Sequence, residues 1–359
     1  MVYLIFLMLS CAYLYTLNKY AGMSYAKFLI YLFPLIFFWC LLIGGQYNVG
    51  TDYFAYLWMF SPGGDISYVS DNRGEVIFSG SVKLLLSFGI TGQGIFIVIA
   101  FIEIIILSKI IYKSVGSRYA YLFLFVFIVF PGILHNQMNG LRQYIVVYIL
   151  TLSLLSLLYK QYFSMLILFA ISPFIHQSTI FVIPLLLLIY KIANVFDKKY
   201  WLYAIAFMGL CLSFVITTEN IGGLFEISET YEHYGGSELM MQRSLIQNIP
   251  KYLYFPLVLF AIYKYPLIKE CNMLNSRLFL IGIIGYSFKL SLISVGIISR
   301  IGQYFDIISC MPIIWLLIYL KFHKRAQMYV VMLYLLIPYA VKVLISTEGE
   351  YSYDFFLLH

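Results

Sequence analysis

The chain has 359 residues, 62% of them hydrophobic and only 11% charged, with 23 Lys and Arg against 16 Asp and Glu. Soluble domains carry roughly 25% charged residues. A mean hydropathy of +0.90 and apolar runs recurring from end to end exclude a soluble core. They point to an all-α, polytopic integral membrane bundle. Length alone suggests two domains, but nothing in the middle reads as a linker, so residues 1–359 are expected to form a single domain with loop insertions. The five cysteines lie in or beside apolar runs without a C-x-x-C, which argues against a disulfide framework or a zinc site. The first basic residue is Lys19, so the first helix lacks the charged start of a signal peptide and is expected to stay, its N-terminus outside.

In chain order, the apolar runs predict spans at 2–17, 28–46, 93–112, 119–134, 141–159, 162–175, 178–196, 200–217, 250–265, 278–296, 304–320 and 328–345, twelve in all. Several fall short of the ~20 residues that a straight span prefers. The segment EVIFSGSVKLLLSFGI, from Glu75 to Ile90, is short and broken by Ser, Gly and Lys83. Read as a re-entrant or interfacial helix, it leaves the basic loop of Lys109, Lys113 and Arg118 inside, as the positive-inside rule favours. Large extracytoplasmic loops are then expected at about 47–92 and 218–249. The inner loops hold twelve Lys and three Arg, the outer side four Arg and two Lys, and Lys289 and Lys342 fall within spans.

Orientation explains why outer cations are few, not why they are mostly Arg. A guanidinium grips phosphate oxygens through paired hydrogen bonds and keeps its charge. The competing reading is that each Arg neutralises an outer carboxylate. Both stand equally for Arg73 and Arg243, which lie in acidic loops. Arg142 and Arg300 have no Asp or Glu within three residues and sit at helix mouths, which favours a phosphate role.

The first outer loop, YNVGTDYFAYLWMFSPGGDISYVSDNRGE, sets Asp52, Asp65, Asp71, Arg73 and Glu75 among aromatics. Such a mix suits sugar recognition; it is also what an ordinary loop with interfacial Tyr and Trp looks like. The acidic loop from Thr218 to Asn248, with its paired glycines, reads as a lid or chain guide. His176, in SPFIHQS just after Pro173, is either a packed polar residue or a proton carrier tuned to neutral pH. His135, beside the Arg142 mouth, is a weaker candidate. Glu103 and Lys289 are the deep charges, expected either to pair with each other or to mark function. Asp306 is expected to orient Arg300.

No H-E-x-x-H, P-loop, G-x-G-x-x-G or G-x-S-x-G occurs, which disfavours metalloprotease, ATPase, dinucleotide enzyme and serine hydrolase. Taken in order, NVGTDYFAY, MNGLRQYIVVYIL, FIHQSTIFVIPLLLL and ISRIGQYFDIISCMPIIWLL resemble the Wzy-type polysaccharide polymerases, especially the EpsG branch. The resemblance implies a GT-C-like glycosyltransferase of the bacterial inner membrane. Such an enzyme joins undecaprenyl-pyrophosphate-linked repeat units into O-antigen, capsule or exopolysaccharide at the face toward the periplasm or cell exterior. Its implied partners are the lipid-linked donor and acceptor, the bilayer, and a chain-length regulator and flippase of the same pathway, with no nucleic acid, cofactor or metal.

Carried over by motif, Asp52 falls in GTDY, Arg142 and Gln143 in LRQ, His176 in HQS, and Arg300 and Tyr304 in the last segment. Arg73 and Glu75 match loosely, and Arg243 is carried on position alone. The expected roles are His176 or Asp52 as base, Arg142, Arg300, Arg73 and Arg243 on the pyrophosphate, and Gln143, Tyr304 and Glu75 in support. Arg142, His176 and Arg300 are expected around one cavity. A ligase moving finished glycan, and a transporter or flippase, are the alternatives.

Overall fold

The computed structural model describes residues 1–20, 22–71, 73–130, 132–216, 245–271, 273–345 and 349–358. It is 82% helical, which places the protein in the all-α class. In chain order the first elements are α1 (Val2–Leu17), α2 (Tyr25–Tyr31), α3 (Phe33–Trp39), β1 (Gln46–Tyr47), α4 (Tyr53–Met59), α5 (Ser67–Asp71), α6 (Val76–Ser87) and α7 (Gln93–Val115). They continue with α8 (Ala120–Val129), α9 (Ile133–Asn139), α10 (Leu141–Leu158), α11 (Tyr162–Ile171), α12 (Thr179–Val195) and α13 (Lys199–Val215). After them come α14 (Leu245–Tyr252), α15 (Phe255–Cys271), α16 (Met273–Ser291), α17 (Gly296–Gln303), α18 (Asp306–His323), α19 (Arg325–Leu344) and β2 (Asp354–Phe355).

Helix occupies each predicted apolar run. Among the described residues, five helices are long and apolar enough to cross a membrane, or up to seven if each of two bent pairs is one span. The bends have local causes. Pro34 at the start of α3 lacks an N–H for the preceding turn, and α2 meets the α3 segment at 56°. Gly132, in a left-handed conformation with φ of 81°, opens α9 at 63° to the helical segment that ends with α8. At 12 residues, α6 is about 18 Å long, well short of a hydrocarbon core of about 30 Å.

The chain divides into two compact units, Met1–Pro184 with Leu336–His359, and Leu185–Leu335. In the first, α10 lies at the centre, against α7 and α11, while α1 packs on α8. After α3 the backbone widens into a π-helical turn, Cys40–Gly44, that lies on α7. Contact is close: a Cβ on Gly44 would stand 2.6 Å from the Ile97 Cα. Such a turn leaves carbonyls unsatisfied at its end. Side chains and the C-terminal segment supply the donors. Gln93 Nε2 donates to the Gly44 and Gln46 carbonyls, Tyr353 Oη to the Leu42 carbonyl at 3.0 Å, and the Phe356 N–H to the Gly45 carbonyl at 3.1 Å. β2 pairs antiparallel with β1, Gln46 opposite Phe355 and Tyr47 opposite Asp354.

The same segment closes over His135, which is buried. His135 shares hydrogen bonds with the Glu350 carbonyl at 3.0 Å and Tyr339 Oη at 3.2 Å, and stacks on Tyr351 at 3.9 Å. Lys342 directs its ammonium at the Tyr351 ring, 4.2 Å from the centroid.

The second unit is built from α13, α15, α16 and α18. Small residues set their spacing, as expected where lipid tails offer no hydrophobic drive between helices. A Cβ on Gly209 of α13 would lie 2.5 Å from the Ser287 carbonyl oxygen of α16. Ser294 donates to the Ser213 carbonyl across the α13 end. Lys289 of α16 pairs with the fully buried Asp306 of α18. The alternative of a Lys289–Glu103 pair is therefore corrected. A buried carboxylate and a buried ammonium one helix apart neutralise each other, since each alone would cost several kcal/mol.

Because the Gly209 neighbours are backbone atoms, they cannot rotate aside. Gly209→Leu should lower the unfolding midpoint in detergent, by about 1–3 kcal/mol for an overpacked contact, with helical content kept. An unchanged midpoint would show that α13 and α16 are not held at this distance.

Candidate functional site

Three of the predicted residues meet in the first unit, and the one that joins them is Glu75. It occupies the N-cap position of α6, with no capping bond from its side chain, where the helix dipole favours negative charge. Its side chain is 1% exposed. One carboxylate oxygen takes Nη1 of Arg142 at 2.5 Å; the other takes Nδ1 of His176 at 2.8 Å and the Gln177 N–H at 3.2 Å. Burial pushes the Glu75 carboxyl up. The His176 hydrogen bond, the Arg142 charge, the His176 charge and the Gln177 N–H together outweigh it, and the carboxyl stays below its ordinary value of 4.5.

Arg142 is the second residue of α10, inside a helical first turn where a cation opposes the dipole. Glu75 and the aromatic walls make that position tolerable. Arg142 Nε donates to Tyr56 Oη at 3.4 Å, and the guanidinium carbon lies 5.9 Å from the ring centroids of both Tyr56 and Phe78. The argument that Arg142 lacks a nearby carboxylate is thus corrected: its partner lies 67 residues away in sequence. The fork retains further N–H groups beyond Nε and Nη1.

His176 stands where α11 gives way. A 3₁₀ turn, Ser172–Phe174 with Pro173 in it, ends the helix, and the His176 carbonyl then accepts from the Thr179 N–H and hydroxyl. Proline at this break agrees with the sequence expectation. With Nδ1 turned to a carboxylate, the neutral imidazole carries its lone pair on Nε2.

Asp52 lies on the adjoining loop. Its N–H donates to Asn139 Oδ1 at 2.8 Å, and its carboxylate accepts from Thr51 Oγ1 at 3.2 Å. Asn139 ends α9, three residues before Arg142, so the Asp52 loop and the Arg142 helix share one anchor. Gly50 permits the approach: its φ is +80°, and a Cβ there would sit 2.6 Å from Asn139 Oδ1. Gln143 is buried beside Arg142, and Arg73 is half-buried two residues before Glu75. Arg300, exposed at the end of α17, and the buried Tyr304 belong to the second unit. Arg243 and most of the 218–249 loop lie outside the described residues. Among the described residues no cluster of three or more His, Cys, Asp or Glu is arranged to hold a metal.

Sequence reasoning placed Glu75 in a supporting role and did not single out Tyr56, Phe78 and Asn139. One signal was available: Glu75 immediately precedes an apolar helical run, beside the first turn where acids are enriched. The aromatic partners carried none, because 19% of the chain is aromatic.

These features define a polytopic helical membrane protein with an ion-paired Arg–Glu–His site at helix ends. The chain belongs to the EpsG family, whose model matches residues 28–356, and so to the family of Wzy-type polysaccharide polymerases. No curated protein and no solved structure matches it.

Because Glu75 is held ionised, its contribution to stability is present above its unfolded value of 4.5 and is lost as pH falls through its lower folded value. The unfolding midpoint should therefore drop in acid. Glu75→Gln should start lower at neutral pH, by about 3–5 kcal/mol for a buried pair losing one partner, and lack that part of the acid dependence. Parallel acid curves for the two proteins would refute the bridge.

Proposed function

We propose that this protein is a membrane glycosyltransferase that polymerises undecaprenyl-pyrophosphate-linked oligosaccharide repeat units into O-antigen, capsule or exopolysaccharide. It works at the outer face of the bacterial inner membrane, as one GT-C-like domain of about twelve spans. The reading is carried by one observation: Glu75 holds a guanidinium and an imidazole on opposite oxygens of a single buried carboxylate.

The acceptor hydroxyl attacks the anomeric carbon of the donor sugar. Its oxygen forms the new glycosidic bond as the bond from that carbon to the phosphate oxygen breaks. The hydroxyl proton passes to His176 Nε2. The negative charge that grows on the departing pyrophosphate is met by Arg142, with Arg73, Arg243 and Arg300 proposed as further phosphate contacts. A guanidinium already fixed by Glu75 and Tyr56 needs no reorganisation as that charge develops.

Glu75 acts as a positioning residue. It selects the His176 tautomer that can accept a proton, and it stabilises the imidazolium that forms. Asp52 is the alternative base, and Gln143 and Tyr304 support substrate binding. The sugar–phosphate bond supplies the driving force, so neither ATP nor metal is required by the scheme.

Arg142→Lys keeps the charge but loses the planar fork. It should abolish the long-chain ladder made by purified protein from its lipid-linked repeat unit, while the protein still inserts. His176→Ala should lower the rate by about 10²–10⁴-fold, as for loss of a general base. A full ladder from either variant removes the corresponding role.

A further inference from the structure

The proposed chemistry leaves one buried acid unused. Glu103 is the eleventh residue of the 23-residue α7, about 15 Å from the Gln93 end, in the interior of the first unit. It is 0% exposed. Neither of its carboxylate oxygens has a hydrogen-bond partner among the described residues. The other buried charges resolve differently: Asp306 has Lys289 and Glu75 has Arg142. Among the described residues no cation pairs with the Glu103 carboxylate.

Its surroundings are polar on one side. Tyr148, on α10, and Cys40, at the start of the π-helical turn, are the titratable groups that feel the Glu103 charge. Tyr148 donates its hydroxyl proton to Gln137 Oε1, so that proton is not offered to the Glu103 carboxyl. Buried donors stand in the same core with no partner among the described residues: Trp39 Nε1, next in sequence to Cys40, and Gln137 Nε2. The Trp39 ring meets Phe127 at 5.9 Å, and Phe127 meets Tyr148 at 6.4 Å.

The geometry points to Glu103 as a proton-binding site within the membrane interior, its carboxyl carrying a proton and facing the Tyr148–Gln137 pair. An isolated buried carboxylate costs several kcal/mol when no cation or donor compensates it. A carboxylic acid in the same place needs only one acceptor for its O–H and one donor for its carbonyl. Neither the Tyr148 hydroxyl nor the Trp39 indole N–H bonds to the carboxyl in this structure, so the neutral acid, with less to desolvate, is the cheaper form there. A metal ion is poorly served here, because among the described residues no group of His, Cys, Asp or Glu gathers with Glu103 to ligate one.

The site is independent of the Glu75 chemistry, and its test does not depend on polymer formation. Infrared difference spectra of the full-length protein in lipid, wild type minus Glu103→Gln at pH 8, should show the carbonyl stretch of one protonated acid. Ordinary carboxyls are ionised at that pH and do not contribute. Tyr148→Phe should shift that band, because it removes the hydroxyl that the acid faces. A carboxylate band in its place, or a protonated band that appears only when sodium is withdrawn, overturns the assignment, the latter in favour of an alkali cation.

Unfolding gives a second reading. Glu103→Gln should leave the midpoint at pH 8 nearly unchanged, because one neutral group replaces another. A marked rise would mean that a buried charge had been removed, and would also overturn the proposal. Should Glu103→Gln fail to insert, Glu103→Asp is expected to shift the protonated-acid band, and a spectrum identical to wild type would count against the site.

Discussion

A single buried carboxylate ties together three remote segments of the first unit. Arg142 begins a largely buried helix, at the end where the peptide dipoles repel a cation. Without Glu75 that placement would leave a guanidinium shielded from water and opposed by its own helix. The compensation is shared: the oxygen not used by Arg142 fixes His176, and the backbone after His176 donates to the same oxygen. Three chain segments remote in sequence are thereby tied to one group.

Each unit sets a buried carboxylate against cationic partners. In the second, Lys289 meets Asp306 from a neighbouring helix, beside Gly302, whose missing side chain lets the Lys289 backbone approach. In the first, Glu75 takes Arg142 and His176. The partners keep similar exposure, 17% for Lys289, 13% for Arg142 and 20% for His176. What sets Glu75 apart is that it serves two side chains at once, one of them an imidazole able to move protons near neutral pH.

Much of the fold was legible because membrane helices announce themselves by hydropathy alone. The runs at 2–17 and 141–159 match α1 and α10 to within a residue. Where prediction and structure part, a backbone break is responsible. The 119–134 run ends as helix at Val129, before Gly132 turns left-handed, and the 250–265 run begins its long helix only at Phe255. The length of a run does not reveal such breaks.

The site was legible residue by residue but not as a network. Arg142 and His176 stood out by type and place. Their link through Glu75 spans separations of 67 and 101 residues, which no local pattern encodes. Charges that look solitary along the sequence are therefore the ones whose partners are hardest to foresee.

The clasp made by residues 349–358 bears on how the molecule is made. Tyr3 bonds to the Glu350 carbonyl across 347 positions, and β1 cannot pair until β2 has left the ribosome. The loop that presents Asp52 follows β1 directly, so it lacks that brace until residues 354–355 have been made. Contacts of such long range are slow to form. The strand pair thus comes late relative to the local helices, and the Asp52 loop gains its support after they have formed.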